Sequence, residues 1–168
     1  MKSKFIKFYM DVAARVSDLS HAQRLKVGAI VVKDDRIISI GYNGMPAGWD
    51  NFCEHMEFMP VNDADARLDD YPFQGTFWIN GHNVERRYRL RTKPEVLHAE
   101  SNAIAKLAKS NDSGMGADLF ITHSPCLECA KLIYQSGISR VYFNQSYRDD
   151  AGIRFLKQSG VEVVQHEE

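Results

Sequence analysis

Residues 117–144, ADLFITHSPCLECAKLIYQSGISRVYFN, set the architecture of this chain. Ala117 to Thr122 is an apolar run of strand length, Cys126 to Ser136 has the span of a helix, and Arg140 to Asn144 is a second apolar strand. The alternation continues on both sides. A helix from about His98 to Ser110 precedes it, and a helix near Asp149 to Gln158 and a strand from Val161 to Val164 follow. Strands joined through helices by short turns run parallel, with right-handed crossovers.

Upstream, Phe5, Phe8, Tyr9, Val12, Ala13 and Val16 recur at helical spacing, predicting an amphipathic helix over about Lys4 to Leu19. Val27 to Lys33 and Arg36 to Tyr42 read as a hairpin around Asp34-Asp35, although that turn lacks the usual glycine. Together these elements predict an α/β domain over residues 1–168, with a mixed five-stranded sheet and helices on both faces. From about 45 to 95 the periodicity is poor, yet both tryptophans, Trp49 and Trp78, and many other aromatics fall there. So much aromatic surface marks a partly ordered insertion rather than a free linker.

A chain of 168 residues builds a core without metals or disulfides. Lys and Arg number 21 against 22 Asp and Glu, a balance that argues against a polynucleotide partner. Charges interrupt the apolar run at the N-terminus before it resembles a signal peptide, and no segment has membrane-spanning length. Cys126 and Cys129 have metal-ligand spacing rather than that of a disulfide framework, so a cytoplasmic location is expected.

Two fragments carry chemistry: His98-Ala99-Glu100 and Pro125-Cys126-Leu127-Glu128-Cys129, each at a predicted helix start. Cysteines three apart on a first turn face one way and grip one ion, and the helix N-terminus favours their thiolates. With His98 they make three ligands, which leaves one tetrahedral position for water, as in a catalytic zinc site. Glu100, two residues past His98, points away from the ligand direction. It is therefore placed as the proton-transferring group rather than as a ligand. The pair His-x-Glu and Pro-Cys-x-x-Cys is the signature of zinc nucleobase deaminases.

On these residues the chain resembles the cytidine deaminase superfamily. Val27-Gly28-Ala29, the block from Gly41 to Gly48, His98 to Ile104 and Ser124 to Lys131 make it similar to deoxycytidylate deaminases within it. The resemblance implies an α/β/α sandwich, hydrolysis of dCMP to dUMP feeding thymidylate synthesis, and a homohexamer. It also implies activation by dCTP and inhibition by dTTP, with Mg2+ accompanying the triphosphate. Carried over residue by residue, it places Asn43 on the deoxyribose, Ala99 and Ser124 against the substrate, and Tyr147 near the phosphate end. Asn43 and Gly44 fall in the stretch from Gly41 to Gly48 that resembles its regulatory nucleotide loop, to which Lys26 would add charge. The alternative readings are a turn residue for Asn43, a core-edge aromatic for Tyr147, and a plain hairpin exit for Gly41 to Gly48. Some phage members hold a second, structural zinc. Here its ligand positions carry Ala22 or a neighbour and Val96, leaving Cys53 without partners unless His21, His55 or His82 substitute. One zinc per chain is expected.

Other features remain open. Arg86, Arg87, Arg89, Arg91 and Lys93 form either an anion-binding run or a solvated face. Lys106 and Lys109 reach a 5′-phosphate or merely solvent, and His123 lines the pocket or sits behind it. The tail from Gln165 to Glu168 is expected to fray. The competing functions are a deaminase acting on tRNA adenosine, free cytidine or polynucleotide cytosine, and a non-catalytic zinc module in which Glu100 is dispensable.

Overall fold

Strand β6 (Asp118–His123) is buried along five consecutive residues, as is β1 (Gly28–Lys33), because each has a strand on both edges and helices on both faces. The computed structural model describes residues 1–61 and 65–166. The other members of this sheet are β2 (Arg36–Tyr42), β7 (Arg140–Gln145) and β8 (Glu162–Gln165), in the order β2-β1-β6-β7-β8. Pairs β2-β1 and β1-β6 are antiparallel, whereas β6-β7 and β7-β8 are parallel.

Period-two alternation divides the core. On one face, Ile30, Val32, Phe120 and Tyr142 meet Tyr9, Met10, Ala13 and Val16 of helix α1 (Ser3–Ser17). The Phe120 ring lies between Tyr142, stacked at 4.7 Å, and Tyr9 at 5.1 Å. On the other face, Ala29, Val31, Leu119, Ile121, Val141 and Phe143 meet helices α2 (Ala99–Leu107), α3 (Leu127–Gln135) and α4 (Ala151–Gln158). The result is the expected three-layer α/β/α sandwich. The hairpin turn forms without glycine because Asp34 and Asp35 both take positive φ, 49° and 58°, as a primed two-residue turn requires.

The insertion is more ordered than its periodicity suggests. Strands β3 (Glu54–Phe58), β4 (Phe73–Ile79) and β5 (His82–Thr92) form a separate antiparallel sheet in the order β3-β5-β4. Asn80 and Gly81, both at positive φ, close the β4-β5 hairpin. Directly opposed residues share a face, so Met56, Phe58, Phe73, Phe77, Tyr88 and Leu90 lie together, with Phe73 stacked on Tyr88 at 5.4 Å. No residue of the three strands is buried. Much of the arginine run on β5 is engaged within this sheet: Arg86 donates to the Met59 carbonyl, Arg87 to the Tyr71 carbonyl, and Arg89 to both oxygens of Glu57.

The tail is better held than expected. Gln165 ends β8, and the His166 N–H donates to the Phe143 carbonyl at 2.7 Å, so parallel pairing reaches beyond the predicted strand end. Glu167 and Glu168 lie outside the described residues. No helix among the described residues is long and apolar enough to cross a membrane.

Candidate metal centre and active site

Helix α2 follows an irregular segment and α3 follows β6, and each begins with an extended residue that the sequence reading had placed inside the helix. His98 (φ −77°, ψ 154°) and Cys126 (φ −69°, ψ 167°) are N-caps, and their carbonyls accept the first helical bonds, from Asn102 and Ala130. Pro125 therefore stands one residue outside the helix, not in its first turn. Cys129 sits a turn further in and is buried. The two helix starts are neighbours, and this brings His98 and both cysteines together.

His98 Nδ1 lies 3.6 Å from Cys126 Sγ and 3.4 Å from Cys129 Sγ. Tetrahedral zinc, with bonds of about 2.3 Å to sulfur and 2.0–2.1 Å to nitrogen, separates such a pair by about 3.6 Å. Both distances from the imidazole thus match the spacing that the ion requires, and all three ligand atoms lie within 4.8 Å of one another. Their protonation agrees. Bonds from Cys129 and His98 draw the Cys126 thiol down to about 3, while Cys129 is pushed up by its bond to Cys126 and by burial. Two adjacent sulfurs share one charge between them, and a divalent cation is the group that stabilises both as thiolates. Among the described residues, no other set of three His, Cys, Asp or Glu has its ligand atoms so close.

Glu100, in the first turn of α2, is 4% exposed and lines the cavity beside the donor triangle. Burial raises its carboxyl to about 7, against the pull of its own backbone N–H and of His98. Near neutral pH it can therefore both accept and return a proton.

The cavity, about 80 Å³, gathers most of the predicted substrate residues: Asn43, Ala99, Ser124, Tyr147 and also His123 line it. Ser124 is buried, and its hydroxyl accepts the Tyr147 N–H at 2.8 Å, fixing the loop that carries the ring. Asn43 is a brace as well. Its side chain accepts from the Val27 N–H and donates to the Leu25 carbonyl, both at 2.8 Å.

Lys26, Asn43 and Gly44, the predicted regulatory set, do not share a site. Lys26 is exposed and lines neither cavity, while Gly44 faces a second cavity of about 290 Å³. Its walls are the turn from Gly44 to Trp49 with His21, Asn102 and Lys106. The Gly44 N–H is occupied by the Leu97 carbonyl. Lys106 belongs to this second cavity, not to the catalytic one, and donates to the Ile40 carbonyl at 2.8 Å. Cys53 is buried with Ala22, Val96 and Met45 in an apolar cluster. His21 lines the second cavity, and His55 and His82 lie on the outlying sheet, opposite Arg91 and Ile79.

Four residues of the catalytic cavity are not singled out by the sequence: Arg24, Leu25, Glu54 and Thr92. Glu54 and Thr92 come from the insertion, and nothing local in the sequence ties them to positions 98–129.

Thiols and an imidazole spaced for zinc, with a buried carboxyl beside them that does not belong to the ligand set, define the class of zinc-dependent base deaminases. The family model described as the cytidine and deoxycytidylate deaminase zinc-binding region matches residues 3–145, and the chain belongs to that family. It is 32% identical to the deoxycytidylate deaminase of Enterobacteria phage T4, covering 92% of this chain and 86% of that one. Human deoxycytidylate deaminase is 33% identical over 85% of this chain and 66% of its own. The dCMP deaminase of cyanophage S-TIM5, solved in complex with dCMP and dUMP, superposes with a TM-score of 0.77 at 39% identity, covering 99% of both chains.

Proposed function

We propose that the protein hydrolyses the 4-amino group of dCMP, yielding dUMP and ammonia, and so supplies the substrate for thymidylate synthesis. The observation that carries this is the Glu100 carboxyl, buried beside the zinc-spaced donors of His98, Cys126 and Cys129. The dCMP-bound cyanophage neighbour supports the substrate. Zinc bound to the three donors supplies a Lewis acid that makes water acidic near neutral pH. Glu100 takes one proton of the attacking water and delivers it to the ring nitrogen next to C4, then takes the second from the C4 hydroxyl so formed and gives it to the amino group, which leaves as ammonia as the C4 carbonyl forms. Ala99 and Ser124 shape the wall against which the base lies. The test is product analysis with purified protein and dCMP, with and without a zinc chelator, beside cytidine and a tRNA anticodon stem. Conversion of dCMP alone, abolished by the chelator, is expected, with one zinc per chain by metal analysis. Deamination of only the RNA or the free nucleoside would sink it.

Regulation by dCTP as activator and dTTP as inhibitor, with Mg2+, belongs to the same proposal. The second cavity supports it: at about 290 Å³ it approaches the usual size of a small-molecule site, and it is bordered by Lys106 and His21. Unchanged dCMP turnover at saturating dTTP and Mg2+ would exclude this control. Assembly into a homohexamer in the cytoplasm completes the proposal. The aromatic face of the outlying sheet supports a second copy as its cover. Strands of 5, 7 and 11 residues have a combined footprint of about 375 Å². Light scattering is expected to give an oligomer.

A further inference from the structure

Helix α4 contributes no residue to the catalytic cavity, yet its first turn lies against the segment that delivers Cys126. Gly152, the second residue of the helix, is buried and shares a face with Leu156, which is fully buried in the core. A Cβ added at Gly152 would overlap the Pro125 carbonyl oxygen and stand 2.9 Å from that of Cys126. The backbone of Gly152 is helical and has no positive φ, so the position does not need glycine for its conformation. Alanine is the better helix former there. What the position requires is the absence of a methyl group, because two backbone carbonyls occupy the space.

The segment that α4 touches has little slack. The Ser124 N–H donates to the Gln145 carbonyl at 2.8 Å, and the Ser124 hydroxyl accepts the Tyr147 N–H at 2.8 Å. The Pro125 ring fixes its own φ. The Cys126 carbonyl accepts the Ala130 N–H at 2.9 Å, so it cannot turn aside without opening the first bond of α3. The two cysteines are held differently. Cys129 lies inside α3 and moves with that helix, whereas Cys126 is its extended N-cap, and its Sγ follows the path of residues 124–126. That path is backed by the first turn of α4. The helix is itself anchored by Leu156, and its start is closed by the Ala151 N–H donating to Asp149 Oδ1 at 2.9 Å.

We propose that Gly152 is a positioning residue of the metal centre: the bare backbone of α4, pressed on the Pro125 and Cys126 carbonyls, sets Cys126 Sγ at its distance from His98. The inference rests on the zinc reading of the site. It gives α4 a part in the chemistry although the helix neither lines the cavity nor supplies a ligand. Because residues 124–126 move together, the same contact holds Ser124 in the cavity wall.

The experiment compares wild type with Gly152→Ala, Asp149→Ala and Gly28→Ala. It measures zinc affinity by competition with a chromophoric chelator, and the absorption bands of the cobalt(II)-loaded proteins, which report thiolate geometry. Gly28→Ala is the matched control. A Cβ there would overlap the backbone of Ala13 and Ser17 on α1, across the sheet from the metal donors. Gly152→Ala is expected to weaken zinc binding about ten- to a hundredfold, the scale for groups that orient a ligand, and to change the cobalt bands. Asp149→Ala, which opens the start of α4, should act in the same direction by a few-fold. Gly28→Ala should lower the melting temperature and keep both the affinity and the bands. Wild-type affinity and bands in Gly152→Ala would overturn the proposal, as would equal losses in Gly28→Ala. A wild type that takes up neither metal at one per chain would instead remove the zinc reading, and the positioning role with it. If circular dichroism shows that Gly152→Ala does not fold, Asp149→Ala decides, and unchanged affinity and bands in that variant overturn the proposal.

Discussion

Gly41 on β2 presses against the backbone of Ala99: a Cβ added at Gly41 would overlap the Ala99 carbonyl oxygen and crowd the Ala103 N–H. Both contacts are backbone, so no side chain can turn aside. The strand is thus the seat on which α2 rests, and α2 carries Glu100 and is capped by His98. Gly41→Ala should push the helix outward, costing about 1–3 kcal/mol by overpacking and displacing His98 from the cysteines. Zinc per chain, measured after dialysis, and turnover should fall together. A stable variant with full zinc would show that the close approach does not position the site.

Removing the Glu100 carboxylate tests the proton transfers directly. Glu100→Gln keeps the size of the side chain and leaves the three metal donors in place. Turnover of dCMP should fall by at least about 10²-fold, with zinc content and melting temperature near those of wild type. Retained turnover would eliminate Glu100 as the group that moves the protons. Cys129→Ser is the contrasting variant, expected to lose zinc as well as activity.

The sandwich could be read from the chain because its signals are local: five apolar strand runs, and helices whose apolar stripes repeat every three or four residues. The metal ligands were equally open to reading, since His98 with Glu100 and Cys126 with Cys129 are short-range pairs at helix starts. The three-stranded sheet was not recognised, although Asn80-Gly81 is a strong hairpin signal and Val84, Tyr88 and Leu90 alternate with polar residues. Arg86 within that apolar series, and the absence of any residue buried by a helix, blurred the period. Arg24 could not be found at all from local pattern. Its position depends on Glu54 and Thr92, which lie 30 and 68 residues away along the chain. Lys26, two residues further on, lines neither cavity.

The pair of Asp118 and Arg140 offers a stability test remote from the site. Arg140 Nε and Nη2 donate to the two Asp118 oxygens at 2.6 and 2.9 Å across β6 and β7. The Asp118 side chain is 6% exposed and that of Arg140 34%. Arg140→Met strands a carboxylate in the sheet. Loss of one partner from a fully buried pair costs about 3–5 kcal/mol, and the partial exposure of Arg140 reduces this to about 2 kcal/mol. Adding Asp118→Asn should restore part of it. Urea midpoints of the single and double variants measure both effects, and equal midpoints for both variants and wild type would mean that the pair contributes nothing.

Alkaline pH should unfold the protein through the tyrosines on either side of Phe120. Burial raises both: Tyr9 with help from the nearby Asp35 and Asp118 charges, and Tyr142 against the opposing pull of Arg140. In the unfolded chain a tyrosine ionises near pH 10, whereas in the fold it holds its proton longer. Above about pH 10 the unfolded state therefore binds fewer protons than the folded state. The stabilisation is complete below that pH and is lost as pH rises through the folded values. Urea unfolding followed from pH 8 to 11 should show this decline. Tyr142→Phe, which removes the ionisation and keeps the ring stacked on Phe120, should flatten it. Tyr9→Phe should do the same while lowering stability at every pH, because its hydroxyl donates to the Asp35 carbonyl at 3.1 Å. A decline of equal slope in both variants and wild type would place the alkaline transition elsewhere.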